Sequence, residues 1–383
     1  MPQSPLERLQ AFTSQRPDGR HANTLASVYH LLKHNEPKLA FNPTVAPAQF
    51  ARWKTKVRAK LRELMHFPKT ATQPKPRMIF SQPRDGYRLE RWELFPEDGV
   101  VTPILMLVPH SASKKNKAPA VLCIPGSSNS KESLAGEPEL DGVSFFNRNP
   151  QRNRMALHYA RAGMVAVAVD HPAMCENDLG VEDPNHDDVV WFLIWLGRCF
   201  ESLSTFHKLR VVHWMRTLPF IDSKRLAVSG HSLGAKPALL LGLLEPAVRA
   251  VVWNDFAGNW RTRQLATMLV RRPSWQFVPG LIEWFDYLDL MAALAPKPMI
   301  ITEGGRTDEI ALVKKAYRIA GAPAALKVAY YPKFDTPAKR PFDRQPIPTG
   351  IDDETYLQYA NVDVPNHCFK ETLAVPWLKR ILK

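Results

Sequence analysis

The spacing of hydrophobic positions changes along the chain. From Ala51 to Phe67, in ARWKTKVRAKLRELMHF, apolar residues recur at three- and four-residue steps. That is the period of an amphipathic helix, so residues 1–75 read as a helical N-terminal extension. Beyond it, RLERWELFP and VTPILMLVP, parted by the turn-like EDG, read as a β-hairpin. Short, nearly unbroken apolar runs follow in APAVLCIPG, MVAVAVD, RLAVSG, VRAVVWND and KPMIITEGG, with helical stretches such as RNRMALHYARAG, LGRCFESLSTFHKLRVVHWMRTL and DEIALVKKAYRIAG between them. Runs of that kind suit strands covered on both faces. Their alternation with helices predicts an α/β domain over residues 76–383, a mainly parallel sheet with helices on both sides. The strand-like LKVAYY and the helical KETLAVPWLKRILK complete it, and residues 256–296 read as a cap-like insertion rich in aromatic residues.

Composition narrows the function classes. Hydrophobic residues at 45% and charged residues at 23% are ordinary globular values, and 34 prolines against 18 glycines imply many stiff loops. The apolar stretch VVWFLIWLG is less than half of what a membrane helix needs, so no membrane association is expected. The start, MPQSPLERLQAFTSQRP, has no signal-peptide pattern, which gives a cytoplasmic location by default and an exported one if a leader has been removed. The net charge of +14 comes from dispersed basic residues that follow no nucleic-acid motif, so no nucleic-acid partner is expected. Cys123, Cys175, Cys199 and Cys368 share no CxxC spacing and read as free thiols.

The chemistry concentrates in RLAVSGHSLGAKPALLLGLL, where an apolar run meets Gly230-His231-Ser232-Leu233-Gly234 and then a helical run. Glycines two positions before and after a serine let the chain turn sharply from strand to helix and lift the hydroxyl above the sheet, the arrangement of a nucleophile elbow. A serine hydroxyl needs a histidine base, and the histidine needs a carboxylate to fix its tautomer. Of the 12 histidines, His367 in VPNHCFKE is the only one beyond residue 231, and it precedes the terminal helix. Asp308, just past EGG and at the opening of a helix, is the first choice for the acid, although an aspartate there would serve equally as an N-cap. Asp255 and Glu303, each at the end of a strand-like run, are the alternatives. Oxyanion donors are expected from the backbone N–H of Leu233 and of Ser127 in the loop after VLCIPG. No metal or cofactor is expected: His171, Cys175, His186 and Asp187 in DHPAMCENDLGVEDPNHDD have no zinc or calcium spacing and read as a loop flanking the site.

RDGYRLERWELFPEDG, PAVLCIPGSSNSKESLAGE, GHSLGAKP, WNDF, LAPKPMIITEGG and YANVDVPNHCFK together resemble the acetyl-xylan-esterase-like bacterial α/β-hydrolases, from about residue 80 to the end. The resemblance implies an α/β-hydrolase fold and a metal-free serine esterase, with Ser232 and His367 matching the elbow and histidine loop and carbohydrate esters as substrates. The family's loop after EGG carries aspartates on either side of the Asp308 position, where this chain has Thr307 and Glu309, and this keeps Asp255 in contention. Lys236 stands where glucuronoyl esterases carry a sugar-binding lysine, but it also suits a solvated helix face; the arginine those enzymes place after the serine is Leu233 here. Within the insertion, Trp260 and Trp284 are candidates for stacking on substrate, and Trp275, Phe277 and Phe285 equally suit packing. The expected partner is therefore a small-molecule or oligosaccharide ester. Lactone, thioester, amide or glucuronoyl-ester hydrolysis on the same residues, and a non-catalytic carbohydrate- or partner-binding protein, are the alternatives.

Overall fold

Along each central strand, successive side chains enter opposite cores. Leu122 and Ile124 pack with Val167 and Val228 on one face, while Val121 and Cys123 pack with Ala166 and Ala227 on the other. This two-sided burial is why the strands carry unbroken apolar runs rather than alternating ones. The computed structural model describes residues 12–69, 74–137, 140, 150–178, 186–268 and 274–383. Its strands are β1 (Arg77–Arg84), β2 (Tyr87–Leu94), β3 (Thr102–Pro109), β4 (Ala118–Ile124), β5 (Val165–Val169), β6 (Ile221–His231), β7 (Val248–Asn254), β8 (Met299–Ile301) and β9 (Leu326–Val328). They form one nine-stranded sheet in the order β1-β2-β3-β5-β4-β6-β7-β8-β9. Pairing is antiparallel from β1 to β3 and between β3 and β5, and parallel from β5 through β4 to β9.

The hairpin of β2 and β3 is the one read from the sequence, but its outer neighbour β1 carries no apolar signal. Its residues, RMIFSQPR, are mostly exposed and include Pro83, as suits an edge strand that buries little. LKVAYY contributes only the three residues of β9. One face of the sheet carries helices Met155–Arg161 and Glu371–Ile381, and the other carries Phe200–Met215, Ala235–Leu244, Tyr287–Leu294 and Thr307–Ile319. Within residues 256–296, the helix Tyr287–Leu294 is buried along its whole length in the main core.

The N-terminal region shares that core. Helix Pro47–Leu64 buries Phe50, Val57 and Leu61 among sheet and helix residues, and Lys54 and Arg62 donate to the carbonyls of Ala295 and Leu244. No single helix among the described residues is long and apolar enough to cross a membrane. Leu61→Ala should therefore destabilise the whole protein by about 2–5 kcal/mol in one cooperative denaturant transition. A separate, earlier transition for the N-terminal helices would show instead that they fold as an appendage.

Candidate active site

The elbow is built by close packing. Ser232 follows β6 with φ 51°, in the left-handed region that a non-glycine residue occupies at a cost of about 1–3 kcal/mol. A Cβ on Gly230 would stand 1.9 Å from the carbonyl oxygen of Gly234, and one on Gly234 would stand 2.4 Å from that of Pro125. The turn thus closes on itself and on the end of β4, and the serine starts a short 3-10 turn leading into the buried helix Ala235–Leu244. Gly126 brings the loop after β4 beside the serine: a Cβ on it would lie 3.3 Å from that of Ser232. Ser127 is exposed in the turn that follows, and Leu233 is buried.

His367 reaches the elbow from the C-terminal side, its ring centroid 4.7 Å from that of His231, the residue before Ser232. Its Nδ1 lies 2.6 Å from Oε2 of Glu303, which is fully buried. Glu303 also accepts the Tyr331 hydroxyl at 2.5 Å and Lys370 Nζ at 2.8 Å. Burial alone would raise the Glu303 pKa, but the charge and hydrogen bond of His367 and the charge of Lys370 outweigh it and hold the carboxyl at about 2. Burial likewise disfavours a charged His367, yet Glu303, helped by Asp255, lifts it to about 9. A carboxylate cannot donate, so Nδ1 carries the proton toward Glu303 and Nε2 is left for a second partner. The loop that carries His367 is pinned by buried Asn254 at the end of β7, whose amide donates to the Cys368 carbonyl at 3.0 Å and accepts from the Lys370 N–H at 2.8 Å.

Asp308, the acid expected first, shares no hydrogen bond or ion pair with His367. The turn after β8 folds back onto the segment after β7, where the Ala257 N–H donates to the Gly304 carbonyl at 2.8 Å and Ala257 bridges Gly305. Helix Thr307–Ile319 then starts beyond that turn and carries Asp308 outward, its side chain 69% exposed and 3.5 Å from Arg306. Nor is it the helix N-cap, which is Arg306; Asp343 accepts the Thr307 N–H at 2.8 Å. Asp255 is half-buried, accepts its neighbour's N–H from Phe256, and is raised to about 6 by burial and the charge of Glu303 against the pull of His367. The position that meets His367 is thus the strand-end glutamate. Its signal in the sequence was the pair of glycines after it in TEGG, which forces the chain to turn at that point.

A second anchored group, on the other side of Ser232, carried no recognisable motif. At the end of β5, Asp170 accepts the backbone N–H of Lys131 at 2.7 Å and its Nζ at 2.8 Å, both residues being buried. His171 Nε2 lies 2.9 Å from the Pro125 carbonyl, which can only accept, so the proton sits on Nε2. Its Nδ1 meets Ser204 Oγ at 3.2 Å, and burial and Lys208 keep the ring neutral by lowering its pKa. His171 therefore ties down the loop after β4 rather than a metal. Cys175 lies near the Asn129 carbonyl and Asp187 bonds Ser274, while His186 packs on Phe200 and Trp275; residues 179–185 of this loop lie outside the described residues. Among the described residues, ligand atoms of His231, Glu303 and His367 lie within 4.8 Å of one another, a spacing that could hold a metal ion. Both oxygens of Glu303 are already engaged by His367, Tyr331 and Lys370.

Lys236 is not on a solvated face. It is buried with Nζ 3.9 Å from the Trp260 ring centroid, and burial lowers it to about 7 against the opposing pull of Glu201 and Asp255. Lys236, Asp255, Trp260, Arg263, Tyr287 and Tyr356 line one recess. Trp284 lies elsewhere: Lys38 and Lys60 of the N-terminal region sit over its ring at 4.7 and 4.0 Å, and its carbonyl accepts the Leu39 N–H. Trp275 packs with Phe200 and Leu233, and Phe285 lies in the main core.

The sheet topology and the strand–serine–helix elbow define an α/β-hydrolase. The chain belongs to the Abhydrolase family, whose model matches residues 4–380. It superposes on the crystal structure of a provisionally assigned acetyl xylan esterase from Bacteroides fragilis with a TM-score of 0.90 and 36% identity, over 99% of this chain and 100% of that one. Methylesterase BT1017 shares the fold at a TM-score of 0.57 and 16% identity, covering 94% of this chain and 76% of that one. A glucuronoyl esterase from Solibacter usitatus does so at 0.51 and 15%, covering 70% and 81%. No curated protein matches the sequence.

The elbow's packing is directly testable. Gly234→Ala would drive a methyl group into the backbone oxygens of Pro125 and Ile124 and should cost about 1–3 kcal/mol or more, read as a lowered Tm. An unchanged Tm would contradict the close approach.

Proposed function

We propose that the protein is a serine carboxylic-ester hydrolase in which Ser232 is the nucleophile, His367 the general base and Glu303 the carboxylate that orients it. The observation that carries this reading is the 2.6 Å bond from His367 to buried Glu303, made beside an elbow whose serine lies next to His231 in the chain and His231 next to His367 in space. In the proposed cycle, His367 Nε2 takes the Ser232 proton as Oγ attacks the ester carbonyl, and the N–H groups of Leu233 and Ser127 receive the developing oxyanion. The imidazolium, held by Glu303, then protonates the departing alcohol. Water deprotonated by His367 cleaves the acyl-enzyme and releases the acid. Carbohydrate acetyl esters are the proposed substrates. Support comes from the 36% identity to the provisionally assigned acetyl xylan esterase from Bacteroides fragilis and from the Trp260 ring beside buried Lys236, a surface suited to a sugar. A uronate ester is the second reading, favoured by the Lys236 amine in that recess, which a uronate carboxylate would hold protonated.

A fluorophosphonate probe should label the wild type and leave Ser232→Ala unlabelled, with kcat reduced by about 10⁴-fold or more. Labelling that survives the substitution removes Ser232 from its role. Release of acetate from acetylated xylo-oligosaccharides should exceed cleavage of methyl glucuronate, and the reverse order would establish the uronate reading.

The acid is distinguished by a pair of variants. Glu303→Gln should lower turnover by roughly 10²–10⁴-fold, whereas Asp308→Asn should leave turnover within a few-fold. Because the protonated base is inactive and Glu303 raises His367 to about 9, kcat/KM should climb as pH rises toward that value. In Glu303→Gln the residual activity should reach its plateau at lower pH. A full loss in Asp308→Asn with an active Glu303→Gln would overturn the assignment.

A further inference from the structure

A large concavity lies beyond Glu303 and plays no part in the chemistry above. A cavity of about 1080 Å³ opens between the first turns of helix Thr307–Ile319, Tyr330 and the loop around residues 337–346. Its floor touches the active site's support, since the neighbour of Tyr330 is Tyr331, which bonds Glu303. Four cations line it, Arg306, Lys314, Arg340 and Arg344, against two carboxylates, Asp308 and Asp343. Asp343 is already saturated, accepting from the Thr307 N–H, the Thr307 hydroxyl and Asn361 and pairing with Arg340 at 3.5 Å, which leaves Lys314 and Arg344 as the cations without a carboxylate partner. Arg306 is buried and its terminal nitrogens donate to the carbonyls of Phe342, Tyr359, Asp343 and Gln345, which satisfies its hydrogens while leaving its charge facing only exposed Asp308.

The remaining cations are arranged for an external ligand. Arg340 is 9% exposed and lies over the Tyr330 ring at 4.2 Å, with Nη1 bonded to Thr307 and 3.5 Å from Asp343 and Nε bonded to the Thr336 carbonyl, so its plane is fixed before anything binds and Nη2 is the nitrogen left for a ligand. Lys314 and Arg344 are exposed and have no ion-pair or hydrogen-bond partner among the described residues. Pro337, Pro341 and Pro346 stiffen the opposite wall. A fixed guanidinium with two unpaired cations around a concave surface matches the planar oxygens of carboxylate or phosphate, and pre-organisation lowers the entropy lost on binding. A merely solvated basic face would scatter such charges over convex surface.

We propose that this cavity is an anion-binding site, separate from the ester-cleaving centre, that takes a ligand through carboxylate or phosphate groups. The proposal does not rest on the esterase reading, because the measurement is binding. Calorimetric titration of the full-length protein uses trigalacturonate as a carboxylate-bearing saccharide, inorganic phosphate, and xylotriose as a neutral control. Saturable binding of trigalacturonate or phosphate is expected, with none for xylotriose. The exposed pair Lys314→Glu/Arg344→Glu should weaken it at least tenfold with an unchanged melting curve, and Asp308→Asn should tighten it several-fold. Binding by trigalacturonate alone identifies an acidic saccharide, and equal occupancy by phosphate identifies a general oxyanion site. No saturable binding by either anion, or affinity unmoved by the charge-reversed pair, overturns the proposal.

Discussion

Glu303 is a charged carboxylate with no solvent contact, and the end of the sheet is organised around satisfying it. An unpaired carboxylate buried in this way would cost several kcal/mol. The charge is met instead by donors from three places in the chain: Tyr331 just after β9, His367 in the loop before the last helix, and Lys370 at the start of that helix. Each donor fixes its own segment as it satisfies the charge. The fold therefore cannot place this carboxylate without also placing the histidine, so the pair is ordered by folding itself.

On the opposite side of Ser232 the same principle is repeated with other residues. Asp170 and Lys131 form a fully buried pair, with Glu132 and Glu176 at 2.7 and 2.6 Å from the ammonium. Replacing such a pair with apolar side chains would be close to neutral for stability, so its stronger consequence is positional. Asp170 holds the backbone at Lys131, and His171, its neighbour, holds Pro125. The stretch between these two anchors is the loop that runs beside Ser232. Both walls of the site are thus fixed by buried hydrogen bonds, side chain to side chain at Glu303 and to main-chain atoms at Lys131 and Pro125, which leave little freedom for a slack approach.

How much of this was legible in the sequence depended on whether a local rule applied. The strands announced themselves because burial on both faces leaves an unbroken apolar run, and the elbow because only glycine fits where a Cβ would meet Gly234 or Pro125. Order along the chain singled out His367. The carboxylate was a different matter, since Asp308, Asp255 and Glu303 all follow strands, and the choice among them turned on where the chain bends after Glu303, a tertiary contact with Ala257. Lys236 misled for a similar reason: a lysine on a helix is ordinarily solvated, and only the packing of Trp260 and Tyr287 over it removes it from water. Trp284 shares the composition of a substrate platform, yet its neighbours are lysines some 220 to 250 positions away in sequence, a contact with no local signature.

The strand order explains why a glutamate at this position meets His367 where an aspartate further on does not. Ser232 follows β6 and Glu303 follows β8, with β7 between them. Neighbouring strands lie about 4.8 Å apart, so the two functional ends are separated by about 10 Å. That gap is bridged over the intervening strand: Asn254 at the end of β7 grips the backbone on the C-terminal side of His367, whose ring lies against Glu303 and His231. A carboxylate must then reach inward from the very end of β8, which the longer side chain of Glu303 does. Asp308 begins a helix that leaves the sheet edge, and its carboxylate faces solvent and Arg306 instead. The separation of the strands, rather than the spacing of residues along the chain, decides which carboxylate meets His367.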